Sequence, residues 1–166
     1  LAPNAKIFSI DNNQKRMKKL INTIKRHKVS NLEPLVLDMM SDNLPIANKI
    51  LIDVPCSGTG VINRRVDLRW KRSLNDIEKS SSIQYNMLDN ASKFLFDRGV
   101  IVYSTCSIEK EENMDVIKKF LYKNKNFIIE DASKFVNNKI VENSIINVLP
   151  GNYDLDGGFA VRLRKI

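Results

Sequence analysis

The sequence predicts an α/β domain built on a largely parallel sheet, and three observations carry that prediction. Short apolar runs of strand length alternate with longer segments whose apolar residues recur at helical spacing. Several of the short runs stop at an acid, as strands do where a sheet meets a loop. The 166 residues, 43% of them hydrophobic, suffice for one domain with a sizeable core.

Residues 6–11 (Lys-Ile-Phe-Ser-Ile-Asp) read as a first strand ending in an acid. Asn12 and Asn13 can cap the following helix, in which Met17, Leu20, Ile21 and Ile24 form the apolar stripe. Its other face carries Lys15, Arg16, Lys18, Lys19, Lys25 and Arg26, the pattern of a solvated surface. Residues 33–38 are a second strand ending in an acid. Residues 49–53 are a third, read as buried, and it runs into Val54-Pro55-Cys56-Ser57-Gly58-Thr59-Gly60, a turn of small residues. Residues 60–73 form an irregular, strongly basic connection.

A helix is expected from about residue 74 to 96, with Ile83, Met87, Leu88, Ala91, Phe94 and Leu95 on its buried side. Residues 99–107 repeat the earlier logic: a buried strand that ends in Thr105-Cys106-Ser107. Ser107 is a candidate N-cap for a helix with Glu109, Glu111 and Glu112 in its first turn, where the helix dipole favours them. Met114, Ile117, Phe120 and Leu121 are its core residues. Residues 127–130 read as a short strand, 133–148 as a polar loop or insertion, and 159–164 as a closing strand.

A net charge of +8 favours a polyanionic partner, nucleic acid before membrane. No apolar run approaches the roughly 18 residues of a membrane span. Two cysteines without Cys-x-x-Cys spacing and a single His27 leave no plausible zinc set and no disulfide framework. A reducing, cytoplasmic setting fits best. No targeting pattern is visible, but the chain begins at Leu1, so the true N-terminus is expected to lie upstream.

In parallel sheets, ligands bind at the carboxyl ends of the strands, and Asp11, Asp38, Asp53, Cys56 and Cys106 all fall at or just past such ends. Any one of these acids could be a cap or turn residue, and a lone free cysteine is usually a small buried hydrophobe. Core cysteines, however, sit within strands rather than beyond them. A helix start after Cys106 would also favour a thiolate. Methylation of C5 of a cytosine needs this equipment. A thiolate adds to C6 and makes C5 nucleophilic toward a sulfonium methyl donor, while a carboxyl group near N3 stabilises the charge on the ring. The C5 proton must then leave so that the thiol can be eliminated.

Asp53-Val54-Pro55-Cys56-Ser57-Gly58-Thr59-Gly60 together with Ser104-Thr105-Cys106-Ser107 resembles the RNA cytosine-5 methyltransferases of the Sun/nucleolar-protein type, nearest to their bacterial 16S rRNA methyltransferase B branch. Arg64, Asp67-Leu68-Arg69-Trp70, Glu111-Glu112-Asn113, Leu149-Pro150-Gly151 and Asp156-Gly157 support the resemblance, which covers nearly the whole chain. It implies a Rossmann-like sheet, S-adenosylmethionine as cofactor and RNA, 16S rRNA first, as substrate. It also implies Cys106 as the attacking nucleophile, Cys56 as the cysteine that assists product release, and Asp53 as the acid on the base. Asp11 would hold the cofactor's ribose hydroxyls and Asp38 would lie near its adenine, with Asp53 completing the cofactor side. No metal is implied.

Val66 stands where the family usually has proline, and Gly158 where it often has phenylalanine. The family's first strand, its glycine-rich cofactor loop and its N-terminal RNA-binding region are expected to precede Leu1. The chain is accordingly read as the C-terminal part of a longer enzyme. Arg64, Arg65, Arg69, Lys71 and Arg72 surround Trp70, a mixture suited to phosphate contacts and to a splayed base. The same pattern also suits a loop pinned by a buried Trp70 with solvated charges. A non-catalytic RNA-binding remnant is the alternative from another class, separable by cofactor binding. A dithiol redox protein would want Cys-x-x-Cys spacing, and an amino-methyltransferase would want Pro-Pro-aromatic after the acid; neither pattern is present.

Overall fold

The first acid-terminated run folds as β1 (Ile7–Ile10), and the helix after it as α1 (Gln14–Arg26). A computed structural model describes residues 4–166. Asn13 is the residue that caps α1: its side chain accepts from the backbone N–H groups of Lys15 and Arg16. Met17 is the buried member of the apolar stripe, while Leu20, Ile21 and Ile24 are half-buried. The chain returns as β2 (Leu32–Leu35), parallel to β1 with Ile7 opposite Leu32 and Ile10 opposite Leu35. These elements belong to one compact unit, Leu1–Pro45; Ile46–Ile166 form a second.

The second unit opens with β3 (Ala47–Asp53), followed by the short α2 (Leu68–Lys71) and the long α3 (Leu74–Lys93). Ser73 and Asp76 close a capping box at the start of α3. Then come β4 (Leu95–Thr105), α4 (Met114–Lys123), β5 (Phe127–Glu130), β6 (Val141–Glu142), β7 (Ile145–Val148) and β8 (Gly158–Lys165). The strand order is β3-β4-β8-β7-β6, with β5 also pairing with β8. Leu88 and Ala91 of α3 and Val116, Ile117 and Phe120 of α4 are buried, as are Ile101, Tyr103, Val161 and Leu163 of the sheet.

Several expectations are corrected. The sheets are mixed rather than largely parallel. Only β1–β2 and β3–β4 are parallel, and every pairing of β8 and of β6–β7 is antiparallel. Within β6–β7–β8 the connections hold no α-helical crossover of the kind that parallel neighbours need, so these strands pair antiparallel. β3 is not fully buried: Ile50 and Ile52 lie on its covered face, while Lys49, Leu51 and Asp53 alternate onto the other face and are exposed, Leu51 to 71%. Residues 133–148 are not merely a loop. They supply the β6–β7 hairpin, in which Ile145 and Val148 are buried. Ile83, expected on the buried side of α3, is exposed.

Ser107 does not cap α4. That helix starts later, after Asn113, and Ser107 Oγ instead accepts from the Glu109 N–H within the connecting turns. Cys106 consequently does not sit at a helix N-terminus, and a dipole argument for its thiolate does not apply.

Candidate active site

β3 and β4 run parallel with Asp53 opposite Ser104, so both strands end at one edge of the sheet. Ser104 Oγ donates to Asp53 Oδ1 at 3.2 Å, and Val54 N–H extends the ladder to the Ser104 carbonyl at 3.1 Å. Beyond Asp53 the chain turns back through Gly58, whose φ of +75° lies in the left-handed region that favours glycine. This turn brings Cys56 Sγ to 3.1 Å from Cys106 Sγ. The separation is well beyond a disulfide bond of about 2.05 Å, and both cysteines are free.

The two thiols differ in environment. Cys106 is exposed. Burial, followed by the hydrogen bond and charge of Cys106, pushes the Cys56 thiol up to about 12, with backbone N–H groups of Cys106 and Gly58 acting in the opposite direction. Cys56 therefore keeps its proton at neutral pH, and this S–H is available as a donor toward the Cys106 sulfur.

Close backbone approach fixes the Cys106 loop. Gly60 N–H donates to the Cys106 carbonyl at 3.0 Å, and Gly157 N–H donates to the Gly60 carbonyl at 2.8 Å. A Cβ on Gly60 would stand 2.8 Å from the Cys106 carbonyl oxygen, so only glycine allows these three segments to meet. The Asp156-Gly157 motif and the small-residue turn are thus joined at Cys106.

Beneath the thiols lies a buried polar network that the sequence reading did not assign to the site. Glu112 Oε1 accepts from Ser57 N–H at 2.8 Å and from Gln84 Nε2 at 3.1 Å. Ser57 Oγ donates to Glu112 Oε2 and lies 3.1 Å from Ser107 Oγ. Gln84 Nε2 also donates to the Pro55 carbonyl at 2.9 Å. Tyr103 is held well above its usual range by burial and then by Glu112, and its hydroxyl donates to the Glu112 carbonyl at 2.5 Å. One signal was available. Gln84 occupies the same helical stripe as Leu88 and Ala91, and a polar residue on an apolar stripe asks for a partner.

The basic connection is better ordered than expected. Leu68, not Trp70, is the residue that pins it: Leu68 is buried, whereas Trp70 is 83% exposed. Arg64 Nε pairs with Asp156 Oδ2 at 2.9 Å, and Arg72 Nε donates to the Ser57 carbonyl at 2.8 Å. All four arginines are exposed; Arg64 and Arg72 reach the site's loops through these contacts, whereas Arg65 pairs locally with Asp67 at 3.8 Å.

Asp11 and Asp38 lie in the first unit, at the carboxyl-end edge of the β1–β2 pair. Asp11 Oδ1 accepts from Asn13 N–H at 2.8 Å and pairs with Arg16 at 3.0 Å. Asp38 Oδ1 accepts from Met40 N–H at 2.9 Å, and Asp38 N–H donates to Asp42 Oδ2 at 2.8 Å. The second unit brings together Asp53, Cys56 and Cys106. Among the described residues no cluster of His, Cys, Asp and Glu could hold a metal ion, and no helix is long and apolar enough to cross a membrane.

Known proteins share both the sequence and this architecture. The family model of the 16S rRNA methyltransferases RsmB/F matches residues 1–164. The ribosomal RNA small subunit methyltransferase B of Shewanella oneidensis is 30% identical over 99% of this chain, which spans 39% of that protein's length. The crystal structure of NSun6 from Pyrococcus horikoshii with SFG is 32% identical, covers 98% of this chain and 42% of that one, and superposes with a TM-score of 0.84. A methyltransferase homolog from Pyrococcus horikoshii, 22% identical over 99% of this chain and 54% of that one, has the same fold with a TM-score of 0.81. A match that begins at residue 1, ends two residues short of the C-terminus and takes in both cysteine turns places the chain in the 16S rRNA methyltransferase RsmB/F family.

Proposed function

We propose that the protein methylates C5 of a cytosine in RNA, 16S rRNA first, using S-adenosylmethionine and a covalent cysteine–C6 adduct. The observation that carries this reading is the pair of free thiols 3.1 Å apart, beside Asp53 at the end of the neighbouring strand. Family membership supports a methyltransferase acting on RNA, and the chain's basic charge suits that substrate.

The cofactor's chemistry matches the acids available. Asp11 directly follows β1 and Asp38 lies in the loop after β2, and a carboxylate accepts hydrogen bonds from a ribose diol or an adenine amine. These residues would hold S-adenosylmethionine, which supplies an electrophilic methyl group when bound.

Cys106, the exposed thiol, releases its proton to solvent and adds to C6 of the ring as the thiolate: a C6–S bond forms, and the electron pair of the C5=C6 double bond becomes available at C5. Asp53, oriented by Ser104, faces N3 and in its protonated form donates its proton there as the thiolate adds, which offsets the negative charge that builds on the ring. After C5 carries its methyl group, loss of the C5 proton returns an electron pair to the ring and breaks the C6–S bond. Cys56 still holds its proton and assists by donating a hydrogen bond to the departing Cys106 sulfur.

The test is a denaturation-resistant protein–RNA band, measured with the full-length protein. Cys106→Ala should give no band and no methylation. Cys56→Ala should transfer the methyl group and then stall, giving more band than wild type. The opposite pattern would exchange the two roles, and no band from either would refute the covalent route.

A further inference from the structure

The buried carboxylate of Glu112 touches neither thiol, yet it is tied to the residues that follow both. Its residue is 0% exposed, as are Gln84 and Ser107, and Ser57 is 1% exposed. Ser57 follows Cys56, and both its N–H and its hydroxyl are donated to Glu112. Gln84 Nε2, itself a donor to Glu112, holds the Pro55 carbonyl on the other side of Cys56. The residues flanking Cys56 are therefore both fixed from one acid.

The link to Cys106 follows from counting protons. The Ser57 hydroxyl has one proton, and it goes to Glu112 Oε2. The 3.1 Å contact between Ser57 Oγ and Ser107 Oγ must then be donated by Ser107, the residue after Cys106. Thr59 Oγ1 lies 3.2 Å from Ser107 Oγ and accepts from Ile108 N–H at 3.2 Å, which braces the same side. A direction runs through the network, from Ser107 to Ser57 to Glu112. A carboxylate sets that direction because it offers acceptors only.

We propose that Glu112 is a positioning residue for the thiol pair: through Ser57 and Ser107 it sets the separation of the Cys56 and Cys106 sulfurs. The role deepens the methyltransferase reading above, but it can be measured without RNA or cofactor. Glu112→Gln keeps the shape and one acceptor but places an NH2 donor opposite Ser57 Oγ or Ser57 N–H. In the first case the Ser57 hydroxyl must turn its proton away from residue 112, and in the second a buried N–H loses its acceptor and faces a donor, so either way the hold on Ser57 is disturbed.

The sulfur separation can be read by diamide, an azo oxidant that takes two hydrogens from two thiols and leaves a disulfide. The full-length protein is treated without substrate, and the Cys56–Cys106 cross-linked peptide is followed by mass spectrometry. Wild type should cross-link readily. Glu112→Gln should do so at least about tenfold more slowly, since ångström-scale misplacement of reacting groups costs rate on this scale. Ser57→Ala, which keeps its N–H bond and loses only the hydroxyl link, should also slow cross-linking and stands in if Glu112→Gln fails to fold. Ile117→Val removes a buried methyl group outside the network and should leave the rate unchanged while lowering the melting temperature.

Wild-type rates in both network variants would overturn the proposal, as would equal slowing by Ile117→Val. A wild-type pair that resists diamide would overturn it too, since the juxtaposition that Glu112 maintains would not exist. None of these results depends on methylation. A protein that passes this test but forms no RNA adduct would retain the positioning role and lose the catalytic reading.

Discussion

Cys56 and Cys106 are chemically unequal although their sulfurs nearly touch. Cys106 meets solvent, while Cys56 is half-buried and keeps its proton against a sulfur neighbour. Burial that pushes the Cys56 thiol up depletes its thiolate at pH 8. Iodoacetamide at pH 8 should therefore alkylate Cys106 first, with Cys56 modified far more slowly, as read by peptide mass spectrometry over time. Faster labelling of Cys56 would contradict the burial that holds its proton. This asymmetry supports giving attack to one cysteine and release to the other, a division that two identical side chains could not carry without different surroundings.

At the scale of the element, the basic connection and α2 divide their arginines between two tasks. Leu68 anchors α2 beside Gly58, and Arg72 reaches inward to the Ser57 carbonyl, so this segment helps build the Cys56 turn. Arg64 is engaged by Asp156. Arg65 and Arg69 remain on the outer face with Trp70, where phosphate contacts and base stacking are available to RNA. Replacing both Arg65 and Arg69 with alanine should weaken RNA binding and flatten its salt dependence by about 1.4 in log–log slope, the contribution of two phosphate contacts to a single strand. An unchanged slope would return these residues to the solvated surface. Arg64→Ala should act differently, lowering turnover more than the salt slope, because it loosens a brace.

Across the whole molecule, protection is unevenly distributed. β4 has a hydrogen-bonded neighbour on each side, and Ile101, Tyr103 and Leu163 at its junction with β8 are 0% exposed. Among the described residues β1 pairs with β2, and the residues of both strands are at best half-buried. Hydrogen exchange should therefore release the amides of β1 and β2 well before those of Ile101, Tyr103 and Leu163. Exchange of all of them at one rate would mean that the two units open as a single cooperative body.

The sequence by itself determined the alternation of strands and helices and the special residues at or just past the strand ends, although β2 stops at Leu35 rather than running to Asp38. Apolar periodicity and turn chemistry are local properties, so Asp53, Cys56, Asp11, Asp38 and Cys106 were legible as strand-end residues, and the paired cysteine motifs pointed to their family. Local pattern does not encode which strand neighbours which. The antiparallel run through β8, the exposed face of β3 and the β6–β7 hairpin emerged only from tertiary pairing. The same is true of the site's interior. Glu112 reads as a helix-start acid, and Trp70 reads as well as a buried pin as it does an exposed ring. Folding alone decided that Glu112 turns inward to Ser57 and that Leu68 takes the buried place. Burial and hydrogen-bond partners depend on residues far apart in the chain, and only the assembled structure brings them into contact.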